Sequence, residues 1–258
     1  MKKFDVSRDI LALDFDGFIV DSIKECLVSG YDAYANYKNR YNIELFEQLD
    51  SHWVEEARRL RNFIRNGEDY VYIAHALENK ANIQDQEEFD AFVQQNIELC
   101  ERFSDHMVNQ RLDFSRAKPD VWVALNPLYA GMRDFLIKYP NKSNLYIITT
   151  KKLIFVEKIL QANAIELYHG NVRDTAEGLT KKQIIAHILK DRRVKPEQFY
   201  FVDDQVDTLI KVQPIHVNPI LAEWGYNTFE QIKQAKAYAI VTQKLDEFLQ
   251  FFHFESPR

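Results

Sequence analysis

Short apolar runs that end in polar residues recur along the chain and predict buried β-strands. They lie at residues 10–13 before Asp14, 145–148 before Thr149 and 199–202 before Asp203, with two further candidates at 220–222 and 237–241. Strands of a parallel sheet are covered on both faces, so they form continuous apolar runs rather than alternating ones. Segments with apolar residues at helical spacing lie between the runs, at 153–163 and 181–190. This alternation predicts an α/β fold, a doubly wound (Rossmann-like) parallel sheet whose functional residues gather at the carboxyl ends of the strands.

The segment after the first predicted strand has a different pattern. Residues 22–125 are rich in Tyr, Glu, Arg and Gln, show helical spacing almost throughout and contain no convincing strand run. Pro119 and Pro127 break helices and place the return to the sheet near residue 126. The sequence therefore predicts an α/β core domain formed by residues 1–21 and 126–258, and an inserted all-helical domain formed by residues 22–125.

The composition narrows the classes of protein that this chain can represent. With 46% hydrophobic and 28% charged residues it is typical of a globular protein. No apolar run reaches the roughly 20 residues that cross a bilayer, and the first residues lack the apolar stretch of a secretory signal, so we expect no membrane segment and a cytoplasmic location. Two cysteines are too few for a disulfide framework. The net charge of -6 argues against nucleic acid as a partner, and monomer and homodimer remain open as alternatives.

Aspartates follow two of the predicted strands. Asp14 and Asp16 are two positions apart, so both side chains can leave the end of the first strand on the same side. Asp203, Asp204 and Asp207 follow another buried strand of the same predicted layer. A single carboxylate at such a place is usually a turn residue or a helix cap, but a set of this size indicates that a cation joins the carboxylates. Oxygen ligands alone favour a hard ion such as Mg²⁺ over zinc.

These segments resemble the motifs of the haloacid dehalogenase-like superfamily, and within it the phosphoglycolate phosphatase-like branch with a helical cap of the C1 type. LDFDGFIVDS, residues 13–22, is similar to the first motif almost residue for residue. LYIITTK at 145–151 resembles the second motif, FYFVDDQVD at 199–207 the fourth, and AEWGY at 222–226 the loop after the next strand. The four segments occur in the family's order and span the predicted core.

Two details of the resemblance concern single residues. Val202 stands where many relatives have Gly, so the backbone there is less free to adopt unusual dihedral angles. The lysine of the third motif falls on Lys181 or Lys182. Lys181 is preferred, because it leaves Ile184 and Ile185 at the family's apolar positions.

The resemblance and the chemistry of these residue types together imply roles for the aspartates. Asp14 would attack phosphorus and form an aspartyl phosphate. Asp16 would protonate the departing oxygen and then help to deprotonate the water that hydrolyses the intermediate. Mg²⁺ would be held by Asp14, Asp203 and the main-chain carbonyl of Asp16. Asp207 would orient the metal site, and Asp204 ranks below Asp203 as a ligand.

The resemblance also implies which residues receive the phosphate of the substrate: Thr149, Thr150, Lys181 and Gly17. Thr149 and Lys181 would stabilise the transferring oxygens, and Gly17 would leave the turn beside the phosphate open because it has no side chain. Lys151 and Lys152 follow these threonines and either raise the local positive potential or are solvated lysines at a helix start. The sequence does not decide between the two.

The favoured function is Mg²⁺-dependent hydrolysis of a small phosphomonoester, since dehalogenases of this family lack the second carboxylate that falls here on Asp16. A sugar-phosphate mutase similar to β-phosphoglucomutase uses the same core residues and is a second possibility. A catalytically silent binding or regulatory protein with the same fold is a third, because a fold alone does not establish an activity. We expect the partner to be a small phosphorylated metabolite, chosen by the inserted domain, in which the motif resemblance ends.

Overall fold

The computed structural model describes residues 4–42, 45–168, 170–175 and 178–252. The chain divides into two compact units, one formed by Met1–Asp21 and Leu128–Arg258 and the other by Ser22–Pro127. We call the first the sheet unit and the second the helical unit. The assignment of the helical unit as a cap domain stays a prediction.

Six parallel strands form one sheet in the described part of the chain, in the order β3-β2-β1-β4-β5-β6. The strands are β1 (Ile10–Leu13), β2 (Leu145–Thr149), β3 (Val172–Asp174), β4 (Phe199–Asp203), β5 (Asn218–Ala222) and β6 (Val241–Gln243). The chain begins at the centre with β1, adds β2 and β3 on one side, and then crosses to the other side for β4. The strand order therefore reverses between β1 and β4, and in sheets of this kind ligands bind at such a reversal. The predicted doubly wound α/β fold is confirmed.

Helices account for the other long elements in the described residues. In chain order they are α1 (Ile23–Tyr37), α2 (Ser51–Arg61), α3 (Asp69–Glu78), α4 (Gln86–Gln95), α5 (Cys100–Ala117), α6 (Pro119–Ala124), α7 (Met132–Lys138), α8 (Leu153–Ala162), α9 (Lys181–Arg192), α10 (Val206–Val212), α11 (Phe229–Ala237) and α12 (Leu245–Phe251). The first six belong to the helical unit. Within the described ranges, no helix has the length and apolar character needed to cross a bilayer.

Burial on both faces of the sheet explains the continuous apolar runs. On one face, Ala12 and Phe201 belong to the same hydrophobic cluster as Ile185 of α9 and Leu209 of α10. Successive side chains of a strand point to opposite faces, so the neighbouring Tyr200 lies on the other face. There its ring packs against Phe252, which follows α12, with 6.3 Å between the ring centroids.

A buried ion pair holds the helical unit together. Glu25 of α1 has no exposed surface and accepts a hydrogen bond from Nε of Arg111 in α5 at 3.0 Å. Its Oε1 also accepts from Nε1 of Trp122 in α6 at 3.2 Å and from the hydroxyl of Ser29 at 2.6 Å. A buried carboxylate is tolerated when it is paired and hydrogen-bonded in this way. The contacts therefore fix α1, α5 and α6 relative to one another.

Two strands at the edges of the sheet differ from the sequence prediction. The predicted strand at 237–241 is wrong over its first four residues, because α11 extends to Ala237 and β6 begins at Val241. Thr228 caps the start of α11 by accepting the main-chain N–H of Gln231, and Ala239 then adopts a left-handed φ of 55° in the turn before the strand. The sequence prediction also lacks β3, which has three residues, none of them fully buried, and no apolar run.

Candidate active site

Three carboxylates meet where the strand order reverses. Asp14 follows β1, and its main-chain N–H donates to the carbonyl oxygen of Val202 at 2.8 Å, which keeps β1 and β4 paired up to this point. Asp203 ends β4 and Asp204 follows it. Asp14, Asp203 and Asp204 are buried, and one carboxylate oxygen from each lies within 4.8 Å of the others. The structure thus brings together three of the five aspartates that the sequence placed after two separate strands.

Lys181 lies against this acidic cluster. Its Nζ donates to Oδ1 of Asp14 at 2.7 Å and to Oδ2 of Asp203 at 2.8 Å. The lysine is the first residue of α9, and its side chain is only 8% exposed. Of the two candidates for the third motif, the structure therefore places Lys181 at the site, while Lys182 is half-buried beside it in α9.

A helix cap explains why Lys181 is positioned there. Thr180 precedes α9 and its hydroxyl accepts the main-chain N–H of Gln183 at 3.3 Å, while the side chain of Gln183 accepts the N–H of Thr180 at 2.8 Å. This reciprocal capping box fixes the first turn of the helix. Ile184 and Ile185 then bury their side chains in the core. The start of α9 and its buried face together hold Lys181 towards the carboxylates.

Burial and neighbouring charges shift the pKa values of Asp14 and Lys181. Burial raises the pKa of Asp14 well above its usual value; the Lys181 ammonium opposes this shift, and the carboxylates of Asp203 and Asp204 add to it. For Lys181, burial disfavours the charged form, but the carboxylates of Asp14 and Asp203 outweigh burial and raise its pKa. One ammonium facing three carboxylates leaves an excess of negative charge when all are ionised. A hard divalent cation such as Mg²⁺ fits this set of oxygen donors and would offset the excess.

Asp204 connects the cluster to two loops. Its Oδ2 accepts the main-chain N–H of Tyr226, in the loop after β5, at 2.7 Å. The hydroxyl of Tyr226 in turn donates to Oδ1 of Asp21 at 2.7 Å. Gly17, in the turn after β1, has a φ of +85°, and a Cβ atom there would lie 2.2 Å from Oδ2 of Asp204. Asp204 therefore packs directly under the turn that contains Gly17. The sequence did not reveal this contact.

Asp16 lies outside the group of three and is paired with a second lysine. Its Oδ1 accepts a hydrogen bond from Nζ of Lys151 at 3.0 Å. The side chain of Lys151 is 1% exposed and that of Asp16 is 19% exposed, whereas Lys152 is exposed. Of the two interpretations that the sequence left open for Lys151, a solvated lysine does not describe the structure.

The remaining predicted site residues occupy the same end of the sheet unit in different settings. Thr149 ends β2 and is buried, and its hydroxyl accepts the main-chain N–H of Lys151 at 3.0 Å. Thr150 is exposed. Asp207 is half-buried in the first turn of α10 and does not belong to the three-carboxylate group found among the described residues. Its part in orienting the metal site stays a prediction.

Comparisons with known proteins give matches to solved structures. No protein-family model matches the chain, and a search of curated protein sequences finds no match. A predicted phosphatase from Clostridium acetobutylicum is 16% identical with a TM-score of 0.59, over 94% of this chain and 97% of that one. A haloacid dehalogenase-like family hydrolase from Streptococcus pneumoniae is 16% identical with a TM-score of 0.59, over 96% and 100% of the two chains. A predicted phosphoglycolate phosphatase from Haemophilus somnus 129PT is 15% identical with a TM-score of 0.60, over 97% and 98%.

Proposed function

We propose that this chain, which has the fold of haloacid dehalogenase-like hydrolases, is a Mg²⁺-dependent phosphatase that hydrolyses a small phosphomonoester through an aspartyl phosphate on Asp14. The observation that carries the proposal is the contact of Lys181 with both Asp14 and Asp203 inside a buried cluster of three carboxylates. Three buried carboxylates lower the stability of the fold, so stability does not explain their presence. They suit a reaction that brings an anionic phosphate to a carboxylate.

In the first step of the proposed reaction, a carboxylate oxygen of Asp14 attacks phosphorus. The oxygen–phosphorus bond to Asp14 forms while the bond between phosphorus and the ester oxygen breaks. Asp16 gives its proton to the departing oxygen, so the product leaves as a neutral alcohol. Lys181 holds Asp14 in place at 2.7 Å, and its positive charge stabilises the transferring oxygens.

In the second step, water attacks the phosphorus of the aspartyl phosphate. Asp16 takes a proton from this water, the bond between Asp14 and phosphorus breaks, and inorganic phosphate leaves. Asp14 is again a carboxylate and Asp16 is again protonated, so the protons balance over the cycle. The candidate ligands for Mg²⁺ are Asp14, Asp203 and the main-chain carbonyl of Asp16, with Asp204 close enough to contribute. When bound, the cation would supply positive charge that offsets the repulsion between the phosphate and the carboxylates.

Hydrolysis of p-nitrophenyl phosphate by the full chain tests the proposal. We expect activity that requires Mg²⁺ and falls by roughly 1,000-fold or more in Asp14→Asn, because the amide cannot replace the attacking carboxylate. The change is nearly isosteric, so circular dichroism and thermal unfolding should show a folded variant.

Asp134→Asn is the matched control, since Asp134 is a 63% exposed carboxylate that pairs with Lys138 on the surface of the same unit. We expect it to keep the wild-type rate. Hydrolysis that needs no metal and is unchanged in Asp14→Asn would refute the proposal. Conversion of a sugar 1-phosphate to its isomer faster than release of free phosphate would identify a mutase instead.

A further inference from the structure

A buried lysine pairs with the carboxylate that serves as the proposed acid and base. Lys151 lies two residues beyond the end of β2, and its side chain is 1% exposed, with Nζ at 3.0 Å from Oδ1 of Asp16. Lysine is almost never fully buried unless it is paired, because the ammonium loses its hydration. The Lys151–Asp16 ion pair is therefore part of the packed structure of the sheet unit and not a surface ion pair.

The backbone around Lys151 is also fixed. Its main-chain N–H donates to the hydroxyl of Thr149 at 3.0 Å, and the main-chain carbonyl of Thr149 accepts the N–H of Thr175 at 3.0 Å. The lysine thus extends from a rigid part of the sheet towards Asp16. Rigid backbone therefore anchors the Lys151 side chain, and its ammonium contacts Asp16.

Asp16 itself lies in a tight turn. The N–H of the next residue, Gly17, donates to the carbonyl oxygen of Val20 at 2.8 Å, and Gly17 has a φ of +85°. The backbone of this turn is well defined, and the orientation of the Asp16 carboxyl is set by what its side chain contacts. The hydrogen bond from the buried Lys151 ammonium restricts this orientation.

We propose that Lys151 is a positioning residue for Asp16: its ammonium holds Oδ1 and thereby aims the carboxyl at the departing oxygen. This inference rests on the proposed phosphatase function. An ammonium can only donate hydrogen bonds, so Oδ1 remains an acceptor and the proton in transit is carried on Oδ2 of Asp16. Lys151 neither gives nor takes a proton, and the balance of the two steps is unchanged.

The test compares two esters that differ in how much their departing oxygen needs a proton. The departing group of p-nitrophenyl phosphate is stable as an anion, whereas that of phenyl phosphate is much less so and benefits more from Asp16. In Lys151→Met we expect kcat/KM to fall about 100-fold for phenyl phosphate, the scale on which a misplaced catalytic group acts, and by less than about 10-fold for p-nitrophenyl phosphate. Asp16→Asn should shift the ratio of the two kcat/KM values in the same direction.

Three features keep the result interpretable. The ratio of the two substrates is measured on one preparation, so a partly unfolded variant does not change it. Lys151→Arg, which keeps a charged donor, should restore part of the ratio, and Lys152→Met, at the exposed neighbour, should leave it at the wild-type value. An equal loss for both esters in Lys151→Met, or no loss, would overturn the inference while leaving the phosphatase proposal standing. A wild-type protein that hydrolysed neither ester with Mg²⁺ would overturn both.

Discussion

The turn after β1 offers a sharp test of the site's geometry, through the substitution Gly17→Ala. Gly17 has a φ of +85°, and a Cβ atom there would lie 2.2 Å from Oδ2 of Asp204 and 2.6 Å from Cδ2 of Tyr226. Asp204 cannot yield easily, because it is fully buried and the same oxygen accepts the N–H of Tyr226. Gly170 is the matched control, since its φ is +84° but the nearest atom to an added Cβ is Nη2 of Arg173 at 3.7 Å.

The expected loss of unfolding free energy in each variant follows from these distances. The left-handed conformation costs an alanine about 1–2 kcal/mol at either position. Overpacking against Asp204 adds about 1–3 kcal/mol at Gly17 alone. We therefore expect Gly17→Ala to lower the free energy of unfolding by about 2–5 kcal/mol and Gly170→Ala by about 1–2 kcal/mol, measured by urea unfolding.

Activity should separate the two variants as well. Relief of the clash must move either the turn that carries Asp16 or the carboxylate of Asp204, so we expect kcat/KM for p-nitrophenyl phosphate to fall at least about 100-fold in Gly17→Ala. Gly170→Ala should stay close to the wild-type value. Equal losses of stability in the two variants, or a fully active Gly17→Ala, would refute the packing of Asp204 beneath this turn.

Two further predictions concern buried charges. Lys181→Met removes the positive charge that faces two buried carboxylates. We expect the free energy of unfolding, measured in urea without metal, to fall by about 3–5 kcal/mol and to recover in part when Mg²⁺ is added. An unchanged free energy of unfolding would contradict the ion pairs. Burial raises the pKa of Asp69 from 3.8 to about 6, so the folded chain binds this proton more tightly than the unfolded chain does. The resulting stability is fully present below about pH 4 and is lost as the pH rises through about 6. Urea unfolding should therefore show wild type losing roughly 2 kcal/mol relative to Asp69→Asn between about pH 4 and pH 7. Parallel pH curves would contradict the burial of this carboxyl.

The central strands could be predicted from the sequence, and the edge strands could not. β1, β2 and β4 are covered on both faces, so burial imposes continuous apolar runs on them. β3 pairs only with β2 in the described sheet and is not fully buried at any residue, so it carries no such run. The apolar segment at 237–241 was misassigned because Ala237 suits the end of a helix as well as a strand, and the helix cap at Thr228 decides between them.

The site residues that could be predicted are those marked by their immediate neighbours in the sequence, and the residues that only a tertiary contact defines could not be predicted. Asp14 and Asp203 end apolar runs, so each could be located from its own neighbourhood. Lys181 is indicated by the resemblance to the third motif, which places Ile184 and Ile185 at apolar positions after it. The pairing of Lys151 with Asp16 joins residues that follow two different strands. The contact of Asp204 with the N–H of Tyr226 likewise joins the ends of two different strands. Such pairings arise only from the register of the sheet, which local patterns do not determine.

The covalent phosphate on Asp14 is the central claim, and the Asp16→Asn variant provides the most direct measurement of it. p-Nitrophenolate leaves without a proton, but hydrolysis of the aspartyl phosphate needs Asp16, so the intermediate should accumulate in this variant. We predict a burst of about one equivalent of p-nitrophenol per enzyme with Mg²⁺, and a phosphoryl group on Asp14 when the quenched protein is analysed by peptide mass spectrometry. A phosphoryl group on another residue, or a burst that persists when Asp14→Asn is added to the variant, would contradict the account.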